Sequence, residues 1–216
     1  MSDNEARQAR RYVIMANGKG LRWHNHLGVP KHLITVDGVP LLDRLVDQLV
    51  ALDPEADVVI SSSDHRAETV GAWRHRPCRN ELELDRFVPE LVTNDVTFLY
   101  GDTYYSDEAI LEIVEGDGEP VQFYGDSERV AAVRARDPEL FLSAFAELRA
   151  MAVKELLTEC KGWQLFRLLE GLPLEAGAPD TDQLRSAASF VLLSARLWDF
   201  NTPQDFERFR EEKALS

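Results

Sequence analysis

Apolar positions along this chain alternate between short continuous runs and helical spacing. Residues 12–16 (Y-V-I-M-A) are apolar without alternation, the pattern of a strand buried in a parallel sheet. Residues 33–36 make a shorter extended piece, which Asp37-Gly38 turns. Pro40 then stands in the first turn of a helix on which Leu41, Leu42, Leu45, Val46, Leu49 and Val50 share a face. Residues 58–60 predict a second strand that ends in serines 61–63, and a helix is expected over about residues 64–74. A third strand, residues 95–100, runs straight into Gly101-Asp102, and Ser106 predicts the N-cap of a helix over residues 107–114. Strand-like runs follow at 121–124 and 130–133, then a helical pattern over 138–169 with a break near Gly162. Residues 187–193 predict a late strand. The last helix starts with Thr202 as N-cap and Pro203 at its first position, and Asp205 completes a box-like start.

Strands alternating with helices imply a mostly parallel sheet covered on both faces. The 216 residues suit one α/β domain, 1–216, with no internal repeat, low-complexity tract or obvious linker, and 44% hydrophobic residues are enough for a substantial core. No apolar run approaches the roughly 20 residues needed to span a bilayer. The N-terminal M-S-D-N-E-A-R-Q-A-R-R lacks the apolar middle of a secretory signal. Cys78 and Cys160 are isolated, without C-x-x-C spacing or a neighbouring base, and read as packing residues rather than a disulfide, zinc site or nucleophile. A cytoplasmic protein that does not engage a membrane is expected.

Charge sharpens this picture. The formal net charge is −14, which weighs against a nucleic-acid partner, because a phosphate backbone needs a broad basic surface. Yet residues 12–36 contain no Asp or Glu, where about four acids are expected from the composition. The stretch carries Lys19, Arg22, Lys31 and three histidines instead, interrupted by Gly18, Gly20 and Gly28. Glycines let backbone N–H groups close on an anion, and basic side chains neutralise it. The feature reads as a phosphate-binding loop. It is neither a Rossmann fingerprint, which needs a third glycine, nor a Walker loop, which closes with G-K-[ST].

Ala16, Gly18, Gly20 and Arg22, followed by Pro30-Lys31, resemble the L-A-A-G-x-G-[TS]-R-M and Pro-Lys signature of the nucleotidyltransferase family, which joins an NTP to a sugar 1-phosphate or similar acceptor. Asn17, Leu21 and Trp23 depart from that pattern. A second likeness lies at Trp198-Asp199-Phe200-Asn201-Thr202-Pro203-Gln204-Asp205-Phe206, similar to the family's W-x-D-[IV]-[GN]-T-P-x-D-[LFY] element without the spacer after Trp. Together the likenesses cover about two-fifths of the chain and imply a three-layer α/β/α sandwich with a mostly parallel, Rossmann-like sheet of the glycosyltransferase-A type.

The resemblance also implies roles. Ala16, Asn17, Gly18, Lys19, Gly20, Arg22 and Lys31 would bind the nucleotide, with Arg22 and Lys31 gripping phosphates and offsetting charge that develops during transfer. Asp102, at the carboxyl end of a strand where ligands of open α/β sheets bind, would hold Mg²⁺, and Asp199 would be the second metal carboxylate. Arg22, Lys31 and Asp102 are the candidate catalytic residues, while Asn201 either contacts the site or shapes its turn. His24-x-His26 with His32 offers a transition-metal reading, but acceptor contact or solvent exposure suits these rings better, since no carboxylate or Cys lies in the same stretch. Between residues 106 and 186 the Glu-Lys-Pro element of many hexose 1-phosphate enzymes is missing. Lys154 and Lys161 are the only lysines there, readable as acceptor contacts or as surface helix residues.

The expected activity is Mg²⁺-dependent transfer of an NMP group from an NTP to a sugar 1-phosphate, with pyrophosphate released. CTP-dependent activation of phosphocholine, a phosphonate or another phospho-alcohol is the alternative, and a molybdenum-cofactor nucleotidyltransferase shares the fold. Expected partners are the NTP and a small phosphorylated acceptor; a homo-oligomer is compatible with them. The rival class is a non-catalytic nucleotide sensor or scaffold, which the departures at Leu21 and Trp23 keep open.

Overall fold

The computed structural model describes residues 9–214. Eleven strands and six α-helices follow in the order β1 (Arg11–Met15), β2 (Thr35–Val36), β3 (Val39–Pro40), α1 (Leu41–Leu52), β4 (Asp57–Ser61), β5 (Trp73–His75), β6 (Val96–Tyr100), β7 (Thr103–Tyr105), α2 (Asp107–Glu115), β8 (Val121–Gly125), β9 (Val130–Ala135), α3 (Pro138–Val153), α4 (Gly162–Leu169), α5 (Thr181–Ser186), β10 (Phe190–Leu192), β11 (Leu197–Asp199) and α6 (Pro203–Ala214). Seven strands form one sheet in the order β10-β8-β9-β6-β1-β4-β5. β9 alone runs against its neighbours β6 and β8, and the other pairs are parallel.

Strand β1 shows why the sheet has helices on both faces. Successive side chains point to opposite sides. Val13 and Met15 join a core with Phe98, Phe141 and Phe166, under α3 and α4. Tyr12 and Ile14 join a second core with Leu45, Val46, Ile110 and Ile113, under α1 and α2. An uninterrupted apolar run is what such a strand requires. A third, smaller core packs Trp23, Ile34 and Phe200 against Phe206 and Phe209 of α6.

The local signals act as capping chemistry predicts. Ser106 accepts a hydrogen bond from the Ala109 N–H, and Asp137 one from the Leu140 N–H at the Pro138 helix start. Thr202 and Asp205 exchange bonds at the start of α6 (Thr202 N to Asp205 Oδ2, 2.7 Å; Asp205 N to Thr202 Oγ1, 3.3 Å). Asp37 and Gly38 both have positive φ, which closes the β2–β3 hairpin.

Two expectations need correction, and the break expected near Gly162 is present. No helix forms over residues 64–74; that stretch is turn followed by β5, because Gly71 at φ +90° and the Asp64–Arg66 pairing hold it in loops. The 138–169 pattern is two helices, ending at Val153 and restarting at Gly162, with Glu155 at positive φ between them. Cys160 is buried as a packing residue should be, whereas Cys78 is exposed. β5, β7, β11 and α5 are elements that the hydrophobic pattern did not announce.

Candidate active site

The chain goes from β1 outward to β4 and β5, then returns to add β6 on the other side of β1. The sheet order therefore reverses at the carboxyl ends of β1 and β6, the place where open α/β sheets bind ligands. The two candidate loops leave from that point. The parallel register sets Met15 opposite Tyr100, and the Gly101 N–H donates to the Met15 carbonyl at 3.1 Å. A Cβ on Gly101 would lie 3.0 Å from Ile14 Cγ2 and 3.2 Å from that carbonyl, so the close approach explains the glycine.

Asp199 reaches the same place by another route. β11 pairs antiparallel with β7, which sets Asp199 opposite Thr103, and the Phe200 N–H donates to the Asp102 carbonyl at 3.1 Å. Nearly a hundred residues of chain separate the two aspartates, and this small ribbon brings them together.

Lys31 and Asp102 are both buried and form an ion pair. Asn201 ties the remaining parts: its Oδ1 accepts from Arg22 Nη2 at 2.8 Å and Lys31 Nζ at 3.4 Å, and its Nδ2 donates to Asp199. Burial works against ionised Asp102, but the Lys31 ammonium and Arg86 guanidinium outweigh it and hold its pKa below the usual carboxylate value. Asp199 has no cation so close. Burial, reinforced by the Asp102 charge, raises its pKa to about 7.

Lys19, Gly20, Arg22, Lys31, Asp102 and Asp199 line one cleft of about 890 Å³. Ala16, Asn17 and Gly18 line an adjoining recess of about 290 Å³, which shares Lys19, Gly20 and Lys31 with the cleft. Asn17 is spent on structure: its Oδ1 accepts from the Ser63 N–H (3.0 Å) and Oγ (2.7 Å). Trp23 is 1% exposed and donates from Nε1 to the Val29 carbonyl at 2.8 Å, so it anchors the loop, while Leu21 is 74% exposed. His32 is buried in the recess rather than exposed, and burial lowers its pKa, which keeps the ring neutral at pH 7.

Sequence reading missed part of the cleft. Arg86, Glu83, Arg129 and Trp163 line it. Arg86 leaves a 3-10 turn over Glu83–Arg86, and no motif marked it. Lys161 also lines the cleft, though paired with Glu159 at 2.8 Å, whereas Lys154 stands exposed at the end of α3.

The donor set bears on the choice of metal. Among the described residues no group of three or more His, Cys, Asp or Glu side chains is placed to hold a metal. A pair of carboxylates suits Mg²⁺, which takes one or two protein oxygens and fills its shell with phosphate and water. Cation charge is also what two neighbouring acids, one with its pKa raised to about 7, would accommodate.

The whole architecture has close likenesses among solved structures. The CTP:phosphocholine cytidylyltransferase of Streptococcus pneumoniae matches 95% of this chain and 99% of its own, at a TM-score of 0.58 and 14% identity. The chain has the nucleotidyltransferase fold. The 4-diphosphocytidyl-2C-methyl-D-erythritol synthase of Anaerococcus prevotii matches 96% and 99% at TM-score 0.59 and 13% identity. The nucleoside-diphosphate-sugar pyrophosphorylase of Vibrio cholerae matches 93% and 99% at 0.58 and 13%. No protein-family model and no curated protein matches the sequence. Among the described residues, no helix is long and apolar enough to cross a membrane.

Proposed function

We propose that this chain works as one nucleotidyltransferase domain that moves an NMP group from an NTP to a small phosphorylated acceptor, in the cytoplasm where NTPs are held. The observation that carries the reading is convergence: Arg22 and Lys31 of the glycine loop, Asp102 and Asp199 come from three separate stretches and line one cleft. An acceptor phosphate oxygen attacks the α-phosphorus. As that P–O bond forms, the bond to the bridging oxygen of the β-phosphate breaks, and pyrophosphate leaves with the electron pair.

The backbone of Gly18 and Gly20 lets the triphosphate approach closely, and Arg22 and Lys31 stabilise the charge that builds on the phosphates. The acceptor phosphate is already ionised at neutral pH, so no side chain has to remove a proton. Asp102 and Asp199 would hold Mg²⁺, which when bound neutralises phosphate charge and fixes geometry. A sugar 1-phosphate is the first acceptor class, with phosphocholine, a phosphonate or another phospho-alcohol and CTP as the second.

The test is incubation with each NTP, Mg²⁺ and a panel of phosphorylated acceptors while pyrophosphate is followed. One combination should release it. NTP binding with no pyrophosphate from any acceptor would favour the sensor class, for which the exposed Leu21 in place of a hydroxyl residue is the supporting feature.

A further inference from the structure

Among the described residues most cations lining the cleft have companions; exposed Lys19 has none, and neither has half-buried Arg86. Lys31 pairs with Asp102, Lys161 with Glu159, and Arg129 with Asp126 and Glu128, while Arg22 donates to Asn201. Arg86 makes no hydrogen bond or ion pair among the described residues, and its Nε is buried without a partner. Glu83, three residues earlier and on the same wall, does not pair with it. The guanidinium sits about 6.0 Å from the centre of the Tyr100 ring. It also lies against the phosphate loop: a Cβ on Gly18 would stand 3.2 Å from Arg86 Nη2 and 3.4 Å from Cζ.

A half-buried guanidinium with no hydrogen bond or ion-pair contact, acting on Asp102 only through its charge, has lost hydration and recovered little in return. Planar guanidinium donors match phosphate oxygens in pairs. We infer that Arg86 is a phosphate-binding residue, clamping a phosphate oxyanion in the cleft that it lines with Lys31 and Asp102. The inference rests on the nucleotidyl-transfer reading for where its anion comes from, either the NTP chain or the acceptor. It also gives Gly18 a second reason to be glycine, since a methyl group there would push the guanidinium aside.

The experiment is titration of the intact protein and its Arg86→Gln, Arg86→Lys and Gly18→Ala variants by calorimetry. Tripolyphosphate is the probe for the nucleotide chain. Inorganic phosphate, added to protein already saturated with Mg²⁺ and tripolyphosphate, is the probe for the acceptor. Arg86→Gln should weaken one of the two at least about tenfold, with Arg86→Lys intermediate, because an ammonium keeps the charge but not the paired donors. Weaker tripolyphosphate binding assigns the anion to the NTP, and a loss confined to phosphate assigns it to the acceptor. Gly18→Ala should cost less in the Arg86→Gln background than in the wild type.

The melting temperature without anion gives a control that a structural role would move. Arg86→Gln removes no hydrogen bond and only part of the charge that keeps Asp102 ionised, so it should lower this temperature far less than Lys31→Ala does. Unchanged affinity for both probes, or a melting temperature lowered as far as in Lys31→Ala with intact affinity, overturns the assignment. Neither titration needs turnover, so the outcome stands apart from whether any acceptor yields pyrophosphate.

Discussion

Lys31 and Asp102 carry two duties that are separable by experiment. The ammonium keeps the Asp102 carboxylate charged in a buried place, and it lines the cleft in which we propose that the phosphates bind. Lys31→Ala would leave that carboxylate buried without its cation, which typically costs about 3–5 kcal/mol. Chemical denaturation should show that loss, and pyrophosphate release should fall by about 10²–10³-fold. Asp199 should behave oppositely toward stability. Its pKa is raised to about 7, above the usual carboxylate value, so the folded chain keeps a proton that the unfolded chain gives up between about pH 4 and 7. Stability contributed by this group falls as pH rises through that window, and the penalty is complete above pH 7. Asp199→Asn has no charge to bury. At pH 8 in chelator it should melt above the wild type by about 2–4 °C for each kcal/mol relieved, the difference vanishing near pH 4, while transfer is lost. A melting curve for Asp199→Asn that stays at or below the wild type at pH 8 would refute this account.

At the scale of elements, two pairings build the site. Parallel pairing of β1 with β6 sets the glycine loop beside Asp102, and the β7–β11 ribbon adds Asp199. Gly101 is the point of closest approach in the first pairing, with backbone and Ile14 and Leu42 side chains all near its missing Cβ. Gly101→Ala should therefore cost about 1–3 kcal/mol through overpacking and shift Asp102, lowering transfer even though no reacting group is removed. Urea denaturation and pyrophosphate assays on one preparation would check both effects. The ribbon depends on the third core, where Phe200 is fully buried between Trp23, Phe206 and Phe209. Trp23, which departs from the family pattern at the sequence level, thus belongs to packing rather than to chemistry.

For the whole molecule, nucleotide binding should report on stability directly. A ligand that binds only the folded chain adds about 2.7 kcal/mol at a hundred times its dissociation constant. NTP with Mg²⁺ should raise the melting temperature in a thermal-shift assay, and chelator should largely reverse the rise if Asp102 and Asp199 hold the ion that offsets the phosphate charge. The origin of each part of this architecture can be traced. Strands β1, β4 and β6, helices α1 and α2 and the Thr202-Asp205 cap were legible along the chain, since burial period and capping are local physics. The acid-free glycine loop was legible for the same reason, as neighbouring residues alone set its charge and backbone freedom. β5, β7 and β11 were not, because three-residue strands gain stability from partners and carry too few positions to show a period. Arg86 left no mark either, since only the folded chain sets this arginine in the cleft with its Nε unpartnered. Composition and pattern thus determined the layers and the acid-free character of the glycine loop. The meeting of Lys31, Asp102, Asp199 and Arg86 in one cleft was decided by strand pairing over long separations, where each contact depends on the rest of the sheet being in place.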